Sequence, residues 1–355
     1  SNAYVIACDI PSGVDGDRGC IMGCAIEADE TISFLCGKLG FYRQDGLDLC
    51  GKVRMEALDV DPQLVEEFDG FTILEQEMIA ALLPKRPRNS HKGSYGKVLV
   101  IGGRKGMSGA ALLCTEAALR SGAGMVTLMS EEATLAAAAI RIPEATQLSL
   151  PQQMEEKAFQ SVFSHYDCVA IGNGLGRDAY ADQLVSLVWN SDCLGVFDGD
   201  ALALIGAWKT HAKRKQPTIL TPHPKEVSYL LGINTHDVVK NPSEALYRSE
   251  KAYSHTTLVL KNACTMISDG KQRYLNMIGN DALAKGGSGD VLCGIILGLF
   301  AQTKDPLAAA LGGVYLHADC ADALVCRQAS HSILASDLIK QLPETMYEVL
   351  QKRLH

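Results

Sequence analysis

Six short apolar runs, separated by stretches of helical character, constrain the fold of this chain more than any other feature. Runs that are apolar on both faces and alternate with helices are typical of a parallel sheet covered by helices on two sides. We therefore predict an α/β domain with a mostly parallel central sheet and with ligand sites at the carboxyl ends of its strands. The runs occupy residues 98–101, 125–129, 168–171, 194–197, 218–220 and 258–260, and an alanine-rich helix is predicted at 108–121.

Bulk composition narrows the class of protein. The length of 355 residues suffices for two domains, and contents of 47% hydrophobic and 21% charged residues are ordinary for a soluble globular protein. The net charge of −8 argues against nucleic-acid partners and anionic membranes, and no apolar run is long enough to span a bilayer. The 12 scattered cysteines predict buried thiols in a reducing cytoplasm. Residues 1–3 look like a scar from tag removal, and we expect no signal peptide.

Residues 4–66 predict a small N-terminal fragment. A short buried strand is expected at 4–8, a second strand at 31–35, and a half-buried third strand in which Val53, Met55 and Ala57 alternate with charged residues. These strands carry too little apolar surface to close a core. We therefore expect residues 4–66 to be part of a domain rather than a whole one.

The main domain is expected to span residues 72–355. Residues 68–71 form a plausible junction with the N-terminal fragment. Thr72 and Glu75 then fit a capping box that opens a helix ending before Pro84. A basic loop at 85–92 leads from this helix into the first of the six apolar runs.

A glycine-rich turn at 279–290 opens an apolar helix. Glycines let the backbone approach a ligand closely, and the first amides of a helix point outward and attract anions such as phosphate. Asp290 lies in the first turn of this helix, where it could take a proton from a substrate hydroxyl. It could equally be a favourable first-turn charge, and the turn alone leaves these two interpretations even.

Five further loops follow the predicted strands, at 102–110, 172–176, 198–200, 221–226 and 261–265. His223 lies between two prolines, whose fixed φ angles hold it rigidly for a binding contact. Lys261, directly after a strand, suits a phosphate contact or a plain surface charge. Each loop alone is a weak signal. Together with the glycine turn they form a specific pattern.

Taken in order, these loops resemble the ADP/ATP-dependent NAD(P)H-hydrate dehydratases of the ribokinase-like superfamily. The resemblance covers residues 72–355 and implies a three-layer α/β/α fold. Residues 4 to about 60 resemble, through the segment 9–15, the C-terminal half of an NAD(P)H-hydrate epimerase domain, which in bacteria is often fused in front of the dehydratase. The matching segments are 91–96, 102–111, 120–124, 172–176, 198–202, 221–226, 261–265 and 279–294.

The resemblance implies a metabolite-repair reaction on the S epimer of hydrated NADH and NADPH. A nucleotide phosphorylates the hydroxyl that water has added to the nicotinamide ring, and phosphate then leaves. ADP is usual in bacterial members and ATP in eukaryotic ones, and Mg²⁺ would accompany the phosphates. The resemblance identifies no metal ligand, and it implies a homo-oligomer, commonly a tetramer.

The resemblance also assigns roles to residues. Asp290 would be the catalytic base, and the amides of Gly287, Ser288 and Gly289 would form the anion hole. The hydrated cofactor would contact Ala110, Gly176 and His223 beside Asp290. The nucleotide site would be lined by Lys261, Asn262, Ala263, Cys264, Thr265 and Gly289.

The chain departs from the family pattern at a few positions. Asn173 and Asp281 stand where proline is common, and Lys225 stands where glycine is common. Asn262 replaces another common glycine and Lys285 a usual threonine, and these two changes could alter the choice between ADP and ATP.

Two rival functions share much of this pattern. One is a small-molecule kinase of the same superfamily, acting on a sugar or a vitamin precursor, which would leave a stable phosphate ester. The 102–110 loop and the 221–224 segment favour the dehydratase. The other rival is a nucleotide-binding protein without turnover, against which the intact Asp290 and glycines argue.

For the N-terminal fragment, the resemblance implies that Asp9 works with a segment from the earlier half of the epimerase domain. We expect the chain to lack epimerase activity. We expect residues 4–60 to pack against the dehydratase domain or a neighbouring subunit.

Overall fold

The structure is a computed structural model that describes residues 3–61, 70–151, 156–208 and 214–352. The chain divides into two compact units, residues 1–71 and 72–355. Residues 68 and 69 of the predicted junction lie outside the described residues. Within the described ranges, no helix combines the length and apolar character that a bilayer crossing requires.

The N-terminal unit contains a three-stranded parallel sheet in the order β1-β2-β3. The strands are β1 (Ile6–Cys8), β2 (Glu30–Phe34) and β3 (Lys52–Glu56). They are accompanied by a 3-10 turn at Leu39–Tyr42 and a short helix α1 (Gly46–Leu49). All three predicted strands are present, each shortened or shifted by a residue or more.

The predicted burial of this sheet is wrong. Ile6 in β1 is 52% exposed, and Met55 and Ala57 are exposed where a half-buried strand was expected. Among the described residues, this unit has only one short α-helix to cover the sheet, so side chains of the outer strands β1 and β3 remain at the surface, whereas Thr31 and Ser33 of the central strand β2 are buried. Its small buried cluster instead lies around Phe41 and Cys50.

Asp9 directly follows β1 with a left-handed φ of 67°. Its carboxylate pairs with the Lys38 ammonium and also accepts a hydrogen bond from the Phe34 amide at 3.1 Å. The Lys38 hydrogen bond is the main reason that the pKa of Asp9 lies below its ordinary value. The carboxylate therefore has partners within its own unit, and the expected lack of epimerase activity stays a prediction.

The larger unit is built on a ten-stranded sheet in the order β4-β13-β12-β11-β10-β9-β8-β5-β6-β7. Neighbours are parallel except at β12, which is antiparallel to both β11 and β13, so the predicted mostly parallel sheet is confirmed. The strands are β4 (Thr72–Ile73), β5 (Lys97–Ile101), β6 (Met125–Ser130), β7 (Thr146–Ser149), β8 (Cys168–Ile171), β9 (Leu194–Phe197), β10 (Thr218–Leu220), β11 (Thr256–Leu260), β12 (Thr265–Ser268) and β13 (Arg273–Asn276).

Helices form a layer on each face of this sheet, which gives the expected three-layer α/β/α architecture. One layer combines α2 (Gln76–Leu82), α3 (Ser108–Arg120), α11 (Ser288–Thr303), α12 (Pro306–Val325) and α13 (Ala335–Gln351). The other contains α5 (Glu156–Phe163), α6 (Ala179–Trp189), α7 (Asp200–Ala207), α8 (Pro224–Leu231), α9 (Thr235–Lys240) and α10 (Pro242–Ala252). Helix α4 (Glu132–Arg141) contacts α3, β6 and β7, and 3-10 turns occur at Lys92–Tyr95, Asp281–Leu283 and Ser330–Ser332.

Strand residues alternate between the two layers, which explains why the runs are continuously apolar. Val98 and Val100 of β5 pack into the core beneath α3 and α11. Leu99 and Ile101 are equally buried and point to the other side, because successive residues of a strand face opposite ways.

The predicted capping box before α2 is wrong. Thr72 belongs to β4, where it pairs with Tyr274 of β13, and Glu75 is the N-cap of α2 without a side-chain capping bond. Thr72 therefore pairs in the sheet, although the local sequence pattern had assigned it to the start of a helix. The predicted end of the helix before Pro84 is confirmed.

Candidate active site

Sheet order brings the predicted loops together at one edge. Strand β5 lies between β8 and β6, so the loop 102–110 after β5 borders the loop 172–176 after β8. The Gly103 amide donates to the Asn173 carbonyl and the Arg104 amide to the Gly174 carbonyl, each at 2.9 Å. The Lys261 amide likewise donates to the Pro222 carbonyl at 2.8 Å, which joins the loops after β11 and β10.

The glycine turn that opens α11 requires glycine at Gly287. Its φ of 94° is left-handed, and an added Cβ would lie 2.7 Å from Leu113 Cδ1. At Gly289, an added Cβ would lie 3.4 Å from Lys261 Nζ, which is an ordinary contact. The Lys261 ammonium therefore lies beside the first turn of α11, where Asp290 is also found.

The amides expected to hold an anion are partly engaged. The Ser288 amide donates to the Lys285 carbonyl at 3.2 Å, within the turn itself. The Ser288 hydroxyl lies 3.1 Å from Nε2 of the buried His317. Burial lowers the pKa of His317 to about 4, so this imidazole is neutral and anchors the serine side chain.

The Asp290 carboxylate has an unusual environment. Its Oδ1 accepts a hydrogen bond from Asn173 Nδ2 at 2.8 Å. Burial, followed by the nearby Asp198 carboxylate, raises the pKa of Asp290 to about 6, against the lowering effects of Asn173 and Lys261. A carboxyl group with this pKa is ionised at neutral pH and is still basic enough to accept a proton from a hydroxyl group in a transition state.

Asp198, at the end of β9, is the centre of a buried polar network. It accepts hydrogen bonds from Asn173 Nδ2 at 3.1 Å, from Thr221 Oγ1 at 2.7 Å and from Lys261 Nζ at 2.7 Å. Burial alone would lower the pKa of Lys261, but Asp198 and Glu226 more than offset it and hold that pKa above its ordinary value. Lys261 is therefore a permanent positive charge at the site.

Glu226 and His223 continue the network at the start of α8. The His223 amide donates to Glu226 Oε2 at 2.8 Å, and the Glu226 amide donates to His223 Nδ1 at 3.2 Å. Burial lowers the pKa of His223, so Nδ1 is an acceptor and Nε2 carries the proton. The His223 side chain is 46% exposed, so it caps a helix and is also accessible to a ligand.

Glu226 itself is nearly fully buried, and its Oε2 lies 3.8 Å from Lys261 Nζ. Burial raises the pKa of Glu226 to about 7, although the Lys261 charge opposes this. The continuous chain of contacts from His223 through Glu226, Lys261 and Asp198 to Asn173 thus ends at the Asp290 carboxylate.

The residues expected to contact the hydrated cofactor lie on adjoining loops. Ala110 is in the first turn of α3, and its methyl group would lie 3.2 Å from a Cβ added at Gly174. The Gly176 amide donates to Asp200 Oδ2 at 2.9 Å, and Arg177 Nε donates to the other oxygen at 2.7 Å. Asp200 therefore fixes the loop that carries Gly176.

The loop 261–265 has a mixed character. Asn262 and Ala263 are exposed, and Asn262 Oδ1 accepts a hydrogen bond from the Ala263 amide at 2.9 Å. The Cys264 side chain is buried and Thr265 begins β12, so Cys264 can offer a ligand its backbone but not its thiol.

Residues 98–344 match the family described as NAD(P)H-hydrate dehydratase, and residues 1–40 match the YjeF-related protein N-terminus. The chain belongs to the NAD(P)H-hydrate dehydratase family. It is 36% identical to a bifunctional NAD(P)H-hydrate repair enzyme of Coxiella burnetii over 341 residues, which are 96% of this chain and 68% of the relative. It is 38% identical over 277 residues to an ADP-dependent (S)-NAD(P)H-hydrate dehydratase of Bacillus subtilis, covering 76% of this chain and 95% of the relative.

The chain is also similar to a solved structure from this family. The ADP/ATP-dependent NAD(P)H-hydrate dehydratase from Bacillus subtilis, co-crystallised with ATP/Mg²⁺, aligns with a TM-score of 0.71 and 33% identity. The alignment covers 79% of this chain and 100% of that structure. These similarities support the ribokinase-like fold and the dehydratase interpretation over a sugar or vitamin-precursor kinase.

Three residues of this polar network were not predicted as functional. Asn173 was noted only as a departure from the family pattern, Asp198 as part of a turn, and Glu226 as the end of a loop. Asn173 and Asp198 lie in loops after strands and Glu226 lies in the first turn of α8, and all three are buried polar side chains, which need hydrogen-bonding partners. Their position directly after predicted buried strands, or a few residues beyond one, was the available signal.

Proposed function

We propose that this chain dehydrates the S epimer of hydrated NADH and NADPH with a nucleotide as phosphate donor, and that Asp290 is the base. The observation that carries the proposal is the position of Asp290. Its carboxylate, with a pKa raised to about 6, lies in the first turn of α11 beside the glycine turn and the Lys261 charge. Family membership supports the reaction, and this geometry supports the role of the residue.

In the first step, Asp290 takes the proton of the added hydroxyl group. The hydroxyl oxygen forms a bond to the terminal phosphorus, and the bond from that phosphorus to the rest of the nucleotide breaks. Glycine amides at 287–289 and the Lys261 ammonium would stabilise the charge on the transferred group. Because the Ser288 amide already donates within the turn, a phosphoryl oxygen would have to share or replace that bond.

In the second step, the phosphate ester is eliminated. The bond between the ring carbon and the phosphate oxygen breaks, phosphate leaves with the electron pair, and the adjacent ring carbon loses a proton. A carbon–carbon double bond forms and the reduced nicotinamide is restored. This proton is released to solvent.

For the ligands, we propose that Ala110, Gly176 and His223 contact the hydrated cofactor. The nucleotide would lie along residues 261–265 and against Gly289. Hydrogen bonds between the loops 102–110 and 172–176 support the cofactor grouping. The nucleotide grouping is supported by Lys261 Nζ, which lies 3.4 Å from the position of a Cβ added at Gly289. The donor can be ADP or ATP, and Asn262 and Lys285 are the positions at which this chain could differ from its relatives.

Mg²⁺ would be held mainly by the nucleotide phosphates and water, as is usual for this ion. Within the part of the chain that the structure describes, no group of three acidic, histidine or cysteine side chains could hold a metal ion. We therefore propose that Mg²⁺ arrives with the nucleotide, and we assign no protein ligand to the ion.

We also propose that residues 72–355 form the dehydratase domain and residues 4–66 a partial epimerase-like fragment. The division into units 1–71 and 72–355 supports this organisation. Following the family resemblance, we propose a cytoplasmic homo-oligomer, with a tetramer as the state to test by light scattering.

The decisive experiment follows the return of NADH absorbance from hydrated NADH, with Mg²⁺ and with ADP, ATP or neither nucleotide. Recovery with a nucleotide is expected, and a stable phosphate ester in its place would identify a kinase. Asp290→Asn should still bind both ligands but lose turnover by about 10²–10⁴-fold, the usual contribution of a general base. Turnover within a few-fold of the wild type would show that Asp290 is structural.

A further inference from the structure

Both polar atoms of the Asn173 side chain form hydrogen bonds within the polar network. Its Nδ2 donates to Asp290 Oδ1 at 2.8 Å and to Asp198 Oδ2 at 3.1 Å. Its Oδ1 accepts a hydrogen bond from the Cys293 thiol at 3.4 Å. The side chain is 1% exposed, so water cannot replace these bonds without a rearrangement.

The chemistry of the neighbours fixes the direction of this amide. Two carboxylates lie on one side, and a carboxylate can only accept hydrogen bonds when ionised. If the amide oxygen of Asn173 were turned toward them, its partial negative charge would face the two carboxylates, and each carboxylate would lose the hydrogen bond that the NH₂ group donates. The NH₂ group must therefore point at Asp290 and Asp198, and its two protons match the two acceptors.

Few other groups compensate the Asp290 charge. The negative groups around it are Asp198 after β9 and Asp200 at the start of α7, while the positive charge is Lys261 after β11. The thiol of Cys293 on α11 is uncharged, because its hydrogen bond with Cys114 on α3 and its burial hold the pKa of Cys293 above its ordinary value. Two titratable groups lie farther from Asp290. They are Glu226, which contacts Lys261, and the neutral His317, which contacts Ser288.

Lys261 reaches Asp198 directly at 2.7 Å, whereas the hydrogen bond given to Asp290 comes from Asn173. We propose that Asn173 is a positioning residue, whose amide aims the Asp290 carboxylate at the substrate hydroxyl and keeps that carboxylate ionised beside Asp198. This inference rests on the proposed function, because it assigns Asn173 a role through the base.

A donor to the ionised form of an acid favours ionisation, so its removal raises the pKa of that acid. Without Asn173 the carboxylate of Asp290 would lose its hydrogen bond and keep the weaker stabilisation from the more distant Lys261 and from the start of α11, and Asp198 would lose the donor that it shares with Asp290. Asp290 should then bind its proton at higher pH. The acid limb of the rate profile should move upward, because the base is active only when ionised.

The test measures kcat/KM for hydrated NADH from about pH 5 to about pH 9 in the wild type and in Asn173→Ala, the range in which such a base titrates. We expect the midpoint of the acid limb to rise by about one pH unit, which is about a tenfold loss at low pH. At high pH the rate should return to within a few-fold of the wild type. A plateau lowered at every pH with an unmoved midpoint would overturn the proposal.

Two further variants control for folding. Asn173→Asp keeps the shape of the side chain but places a third carboxyl group in the network, and it should move the midpoint further than alanine does. Asn190→Ala removes an equivalent amide from an exposed helix end, where Nδ2 donates to the Ser186 carbonyl at 2.8 Å, and should leave the profile unchanged. If Asn173→Ala does not fold, an unmoved midpoint in Asn173→Asp would refute the proposal by itself.

A second readout needs no turnover. Carbon-13 NMR of aspartate-labelled protein follows the Asp290 carboxyl, assigned by its absence in Asp290→Asn. Its midpoint should rise in Asn173→Ala, and an unchanged midpoint would overturn the inference. If this titration moves but hydrated NADH is never restored by the wild type, the proposed function fails while the coupling of Asn173 to Asp290 holds.

Discussion

Replacing Asp290 with asparagine should stabilise the fold at neutral pH while it removes the base. The reason is the cost of the buried charge. Burial and Asp198 raise the pKa of Asp290 from 3.8 to about 6, so the folded protein holds this proton more tightly than the unfolded chain does. Above about pH 6 the folded state must carry an unfavourable charge, whereas below pH 3.8 the carboxyl is neutral in both states.

The difference between these two pKa values corresponds to at most about 3 kcal/mol at neutral pH, since one pH unit is about 1.4 kcal/mol. Asparagine mimics the neutral acid and can still accept the hydrogen bond from Asn173. Asp290→Asn should therefore raise the free energy of unfolding by up to about 3 kcal/mol near pH 8, or the melting temperature by about 3 to 6 °C. Near pH 4 the gain should nearly vanish.

Thermal unfolding of the wild type and Asp290→Asn at both pH values measures this effect. Asp237→Asn is a matched control, because Asp237 also lies in the first turn of a helix, α9, but is exposed. If Asp290 were only a favourable first-turn charge, its removal would instead cost about 0.3–1 kcal/mol. A destabilised Asp290→Asn at pH 8 would therefore refute the argument from burial.

Three other substitutions, and one surface control, test the rest of the site. Gly289→Ala should weaken nucleotide binding, because the added methyl group would occupy the place of a phosphate, whereas its contact with the protein, 3.4 Å from Lys261 Nζ, is an ordinary one. His223→Ala should mainly weaken binding of the hydrated cofactor. Calorimetry of both variants with both ligands measures this, and a reversed pattern would show that the sites are misassigned. Lys261→Met should cost about 3–5 kcal/mol in urea unfolding, since it leaves buried Asp198 without its cation. Lys340→Met, at a surface pair whose lysine is 71% exposed, should cost less than about 1 kcal/mol, and equal losses would contradict the burial argument.

The central strands could be predicted from the sequence because their burial on two faces leaves a continuous apolar run. The predicted run 168–171 coincides with β8, and 194–197 with β9. The strand Thr146–Ser149 was missed because it forms an edge of the sheet and is largely exposed, so no apolar run marks it. The strand Arg273–Asn276 also lacks such a run, and its place is set by pairing with β12.

The loops of the site could be predicted, but their contacts could not. Asn173 and Asp290 are 117 residues apart in sequence, and their hydrogen bond depends on the packing of α11 against β8. The spacing of Asp198 and Lys261 gives no sign that an ion pair joins them. His223 could be identified as rigid from its prolines, whereas its reciprocal capping bonds with Glu226 depend on where α8 begins.

The charge balance of the network leads to a last prediction about the cation. Above about pH 7, Glu226 and Asp290 are both ionised beside the Lys261 ammonium, because the pKa of Glu226 is about 7 and that of Asp290 about 6. A nucleotide polyphosphate brings further negative charge to the same place, and unit charges in a partly buried site repel by roughly 1–2 kcal/mol each. At low pH the carboxyl groups of Glu226 and Asp290 are neutral and this repulsion is smaller. Removal of Mg²⁺ by a chelator should therefore weaken ADP or ATP binding by about tenfold more near pH 8 than near pH 5.5, measured by calorimetry with the ligand's own titration corrected. In Glu226→Gln the difference between the two pH values should shrink, and an unchanged difference would show that these carboxylates do not act on the nucleotide.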